Sequence, residues 1–166
     1  MAIKKHKIKI LVGVDFTSYS KEALFFASKL ADCLGAQLLV LHVIHDPAEA
    51  PGFYARKGKH KKFLQSMEEA AEEMMEEFIN EMRETHPDQM PIQKATPLLV
   101  IGTPVTRIIE IAEKRQASMI ILGSHGRTGL SHLLIGSKAE RVVQLSPIPV
   151  TVVKTSKKTK NFFSSI

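Results

Sequence analysis

The sequence predicts an α/β domain, a parallel sheet with helices packed on both of its faces. Three observations carry this. Short, β-branched apolar runs alternate with helical-period segments in the order βαβαβαβαβ. The run from Gln37 to Val43 is almost unbrokenly apolar, as a strand covered on both faces is. A length of 166 residues, 44% of them hydrophobic, suits one globular domain rather than two.

Ile8 to Val14 reads as the first strand, closed by Asp15. Thr17, Ser18 and Ser20 offer N-caps for a helix that runs to Leu34, where Gly35 ends it. Its expected apolar face is Ala23, Phe26, Ala27, Leu30, Ala31 and Leu34, with Cys33 read as core. Gln37 to Val43 is the second strand. His45 to Gln65, with Pro47, Pro51, Gly52 and Gly58, reads as a long loop. Ser66 to Thr85 is a predicted helix with an apolar stripe of Met67, Ala71, Met74, Met75, Phe78 and Met82. A third strand falls within Ile92 to Ile101, its limits blurred by Pro97. Thr103 as N-cap and Pro104 at the first helical position open the next helix, whose apolar face is Val105, Ile108, Ile109 and Ala112. Ser118 to Leu122 is the fourth strand, Ser137 to Leu145 the last helix and Pro149 to Val153 the fifth strand. The domain is expected over 1–155, with 156–166 a basic, disordered tail.

Charge and composition narrow the function. The net charge is +6, concentrated in Lys4 to Lys9, Arg56 to Lys62 and Lys154 to Lys160. Against these stands Ser66 to Glu84, with eight glutamates and one arginine. The basic runs read as solvated faces and tails. No aromatic residues alternate with the lysines as a nucleic-acid stacking platform requires, so nucleic acid is not the expected partner. A single cysteine excludes an internal disulfide and suits a reducing compartment. No run of eighteen apolar residues predicts a membrane span, and Asp15 interrupts the only signal-like segment, so a cytoplasmic protein is expected.

The chemistry concentrates between Gly123 and Ser137. This stretch leaves the carboxyl end of a strand and enters a helix, with Gly123, Gly126, Gly129 and Gly136 along it. Glycines let a ligand lie against the main chain, and exposed N–H groups with a helix N-terminus favour an anion. Arg127 could add a charge-assisted contact and Ser137 a hydroxyl donor to phosphate. The segment is neither a P-loop nor a dinucleotide fingerprint. On residue type alone, a turn-rich connection in which Ser137 and Glu140 form a capping box fits about as well.

The spacing Gly123-x2-Gly126-x9-Gly136-Ser137 resembles the ATP-binding branch of the universal stress protein family. So do the opening around Asp15, Leu41 to Ile44, Gly102-x-Pro104, Ile120 to Gly126 and the closing Pro147 to Lys154. The resemblance covers nearly the whole chain. It implies a doubly wound, Rossmann-like sheet of five parallel strands in the order 3-2-1-4-5. ATP would lie across the carboxyl ends of strands one and four, with Mg or Mn carried by its phosphates. Asp15 matches the carboxylate on the adenine side, Val14 and Val43 the walls around the base, and Leu122 and Gly123 the ribose contacts. Gly126, Gly136, Ser137 and Lys138 match the phosphate positions, contributing mainly backbone donors. The resemblance also implies a homodimer paired through the last strand, near Val150 to Val153, and a stress-response or signalling role.

His42, His45 and Asp46 lack the spacing of a zinc site. For hydrolysis, Arg127 and His125 are candidates beside Asp15, but the set is incomplete. Binding, with at most slow ATP turnover, is the expectation.

Overall fold

The computed structural model describes residues 7–46, 57–126 and 135–154, with only the backbone described over 57–60. Five strands, β1 (Lys9–Gly13), β2 (Gln37–Ile44), β3 (Thr96–Ile101), β4 (Met119–Gly123) and β5 (Val150–Val153), form one sheet in the order β3-β2-β1-β4-β5. Every neighbouring pair is parallel. All carboxyl ends therefore lie along one edge of the sheet. From β1 the chain winds outward to β2 and β3, then returns to β4 on the other side, so the winding reverses between β1 and β4.

Side-chain alternation along the strands builds two cores. Ile10, Val12, Leu38, Val40 and Ile121 face one way, toward Leu24, Ala27 and Ala31 of α1 (Ser18–Leu34), Phe78 and Met82 of α2 (Lys57–Thr85), and Ile92 of α3 (Met90–Gln93). Leu11, Leu41, Ile120 and Leu122 face the other way, toward Ile108 and Ala112 of α4 (Pro104–Lys114) and Val142 of α5 (Ser137–Leu145). Coverage on both faces is what the unbroken apolar strands require. Pro97, which lacks a ladder donor, sits on the edge strand β3, where a proline is tolerated.

Thr17 caps α1, its side chain accepting from the Ser20 N–H at 3.4 Å. At the other end Gly35 is left-handed (φ 61°), and Ala36 N–H closes the cap on Ala31 O at 2.8 Å. A Cβ on Gly35 would meet nothing within 4 Å. The cost of Gly35→Ala is therefore backbone strain alone, and we expect about 1 kcal/mol lower stability in urea denaturation.

Several elements depart from the sequence reading. Cys33 is exposed rather than core, and Phe26 and Leu34 are exposed as well. The buried line of α1 is Ser20, Ala23, Leu24, Ala27, Ser28 and Ala31, so apart from Leu24 it is small residues that face the sheet. Helix α2 begins at Lys57 rather than Ser66, because after Gly58 the lysines, Phe63, Leu64 and Gln65 all tolerate a helix. Pro47 to Arg56 of the expected loop lie outside the described residues. Met74, assigned to the stripe of α2, is exposed. The four-residue α3, with Pro91 in its first turn, is too short to leave a periodic signal. The capping box on Ser137 does not form: Gly136 occupies the cap position and Ser137 is the first helical residue. Thr103 and Pro104 stand where expected, but Thr103 makes no side-chain cap hydrogen bond. The expected tail, 156–166, lies outside the described residues.

Candidate functional site

In a doubly wound sheet the crevice lies beyond the carboxyl ends of the strands, where the winding reverses. Here that point is flanked by Asp15, which follows β1, and by Gly123 to Gly126, which end and follow β4. The two segments meet. A Cβ on Gly126 would stand 3.0 Å from Asp15 Oδ2, so the absent side chain lets the carboxylate lie against the loop backbone.

Asp15 is held by the start of α1. Its Oδ1 accepts from the Thr17 hydroxyl at 2.6 Å, from the Ser20 hydroxyl at 2.5 Å and from the Thr17 N–H at 3.3 Å. The Asp15 N–H in turn donates to Ser20 Oγ at 2.9 Å. A carboxylate at a helix N-terminus is also favoured by the helix dipole. Between Asp15 and Thr17 the chain passes through Phe16 in a left-handed conformation (φ 66°), uncommon for an aromatic residue. The Phe16 ring is fixed by His42 (centroids 4.3 Å) and Phe78 (5.6 Å). This turn aims Asp15 at β4 rather than along β1.

The glycine stretch is anchored from below and at both ends. Ser124 is buried, its N–H donating to Val153 O at 2.9 Å and its Oγ lying 2.9 Å from His125 Nδ1. The His125 ring packs on Tyr19 at 5.0 Å. Gly123 leaves room for the α1 backbone, since a Cβ there would stand 2.9 Å from Tyr19 O. The chain returns at Gly136, whose N–H donates to Ser124 O at 2.7 Å. A Cβ on Gly136 would be 3.8 Å from Gly126 N, so the two ends of the loop converge. Because the Gly136 amide is committed to Ser124, donors from this end begin at Ser137. The first-turn N–H groups of Ser137, Lys138 and Ala139 have no intrahelical acceptor, whereas Glu140 N–H reaches Gly136 O at 3.0 Å. Ser137 and Lys138 are exposed at this end of α5.

Of the residues singled out in the sequence, Asp15, Gly123, Gly126, Gly136, Ser137 and Lys138 thus gather around one crevice. Val14, Val43 and Leu122 lie beneath it as buried core, Val14 on the α1–α2 side and the other two on the α4–α5 side. Arg127 lies outside the described residues. Sequence reasoning missed the fastening by Thr17 and Ser20, although both hydroxyls were visible after Asp15. It also missed Phe16, whose backbone conformation leaves no sequence signal. His42 is not placed as a metal ligand: its Nδ1 donates to Val14 O at 2.8 Å and its ring packs on Phe16. Among the described residues no group of three or more His, Cys, Asp or Glu could hold a metal.

The amino terminus of α5, the glycines Gly123, Gly126 and Gly136 and the Asp15 carboxylate thus meet at the winding reversal of a doubly wound α/β domain. The sequence profile of the universal stress protein family matches residues 8–154, and the chain belongs to that family. A universal stress protein of Methanocaldococcus jannaschii is 32% identical over 150 residues, covering 90% of this chain and 84% of the relative. A second protein of that organism, 31% identical over 153 residues, covers 88% of this chain and 94% of the relative. Its solved structure aligns with a TM-score of 0.64 over 89% of this chain and 96% of the other, at 30% identity. A universal stress protein of Archaeoglobus fulgidus solved with dAMP shares the fold, with a TM-score of 0.59, 18% identity and coverage of 89% and 98%. So does a universal stress protein solved with cAMP, with a TM-score of 0.57, 23% identity and coverage of 90% and 98%.

Proposed function

We propose that this chain binds ATP in the crevice between β1 and β4 and acts as a nucleotide-dependent stress-response or signalling module. The observation that carries the reading is the meeting of Asp15 with Gly126 at the winding reversal, within reach of the first turn of α5. In this reading Asp15 accepts from the adenine side, and Val14 and Val43 support the base. Leu122 and Gly123 meet the ribose. Gly126, Arg127, Ser137 and Lys138 hold the phosphates, with Gly136 closing the loop behind them. The cAMP and dAMP complexes of family members support an adenine nucleotide here. A carboxylate so close to a phosphate loop repels a bare polyanion, which favours ATP carrying Mg or Mn.

The same reading has the chain pair as a homodimer through β5, an edge strand whose outer side meets no other strand among the described residues. It also places the protein in the cytoplasm. No helix among the described residues is long and apolar enough to cross a membrane. Binding rather than dedicated catalysis is proposed, because His125, the described hydrolysis candidate beside Asp15, is engaged with Ser124 Oγ and the Tyr19 ring.

Mass spectrometry of small molecules released on denaturation tests the proposal. ATP or ADP should leave the wild-type chain and be absent from a Gly126→Val variant purified in parallel. Equal release from both would contradict the assignment of the crevice.

A further inference from the structure

Helix α2 outruns the body of the domain. From Lys61 onward the first buried residue is Ala71, and none from Lys61 to Ala70 is buried, a length of about 15 Å at the rise of an α-helix. A projecting helical end this short is marginal in water without a packing partner. It nevertheless carries an ordered apolar stripe. Phe63, Met67, Ala70 and Met74 recur at i, i+4, i+7 and i+11, with Phe63 48% and Met74 41% exposed. The stripe lies about a quarter turn round the helix from the buried line Ala71, Met75, Phe78 and Met82. It is therefore not an extension of the core contact.

The charges flanking the stripe are segregated along the helix. Lys61 and Lys62 lie on its amino-terminal side, and Glu68, Glu69, Glu72, Glu73, Glu76 and Glu77 follow, all exposed. An antiparallel partner with the same sequence matches this order. With Phe63 opposite Met74 and Met67 opposite Ala70 of a second copy, the flank bearing Lys62 meets the flank bearing Glu73 and Glu77, twice over by symmetry. A parallel partner would oppose like charges instead.

We infer that the projecting part of α2 is a self-association surface, on which α2 of a second copy packs antiparallel over Phe63, Met67, Ala70 and Met74. The inference does not depend on the nucleotide reading. The contact is also separate from β5, so it adds to any pairing there.

Sedimentation velocity over a concentration series tests it. Phe63→Asp combined with Met74→Asp should lower the mass to that of the unit without the α2 contact at concentrations where the wild type assembles, with helix content and ATP affinity unchanged. Lys62→Glu alone and Glu73→Lys with Glu77→Lys alone should each do the same. An equimolar mixture of those two charge variants should recover the wild-type mass, because the mixed pair restores both attractive contacts, and this recovery also shows that both are folded. Wild-type mass for the Asp variant, or no recovery on mixing, would overturn the inference. A changed ATP affinity at unchanged mass would overturn it too, since the stripe would then border the crevice.

Discussion

Gly126→Val is expected to weaken ATP binding about 100-fold or more, equivalent to about 3 kcal/mol, in a protein that still folds. A Cβ at this position stands 3.0 Å from Asp15 Oδ2, and the two further methyl carbons of valine fill the space where the loop meets the carboxylate. Asp15 yields poorly, because three donors hold its Oδ1. Gly126 does not have a positive φ. The substitution therefore presses on one side chain and the crevice, not on the backbone, and thermal stability should fall little. Calorimetry with ATP and Mg, paired with a melting curve, separates lost binding from lost fold.

The second large effect divides between two substitutions at one position. Asp15→Ala strips the acceptor from the Thr17 and Ser20 hydroxyls and from the Thr17 N–H, and Ser20 is only 3% exposed. Leaving such groups unpaired should cost about 3 kcal/mol of stability. Asp15→Asn keeps one carbonyl oxygen for those donors, so its stability should stay within about 1 kcal/mol of the wild type. The amide nitrogen, however, replaces an acceptor with a donor on the side facing Gly126. On the proposed reading Asn should lose ATP binding at least about tenfold while remaining folded. Urea denaturation and calorimetry on both variants check this. Wild-type affinity in the Asn variant would remove Asp15 from the site.

Much of this architecture was legible because apolar runs and helical stripes report burial directly. The strands β1, β2, β4 and β5 fall where the β-branched runs are, and the Asp15 and Gly123–Gly126 segments fall at their carboxyl ends. The order of the strands followed from the resemblance rather than from periodicity, since no local pattern says which strands are neighbours. Where large apolar residues occupy more than one side of a helix, the stripe was misread. In α1 alanines and serines join Leu24 on the buried face, leaving Phe26, Cys33 and Leu34 outside. The start of α2 was hidden for the opposite reason: a lysine-rich turn that buries nothing has no apolar periodicity to read. At the crevice, residue types were visible but their connections were not. The left-handed Phe16, the triple acceptance by Asp15 and the commitment of the Gly136 amide to Ser124 arise from tertiary geometry.

The most direct measurement of the central claim is a calorimetric titration of ATP with Mg into nucleotide-free protein, repeated with GTP. One ATP per chain should bind saturably and in preference to GTP, since an adenine amino group donates where a guanine oxygen would face the Asp15 carboxylate. Absence of saturable binding, or equal affinity for the two nucleotides, would contradict the claim.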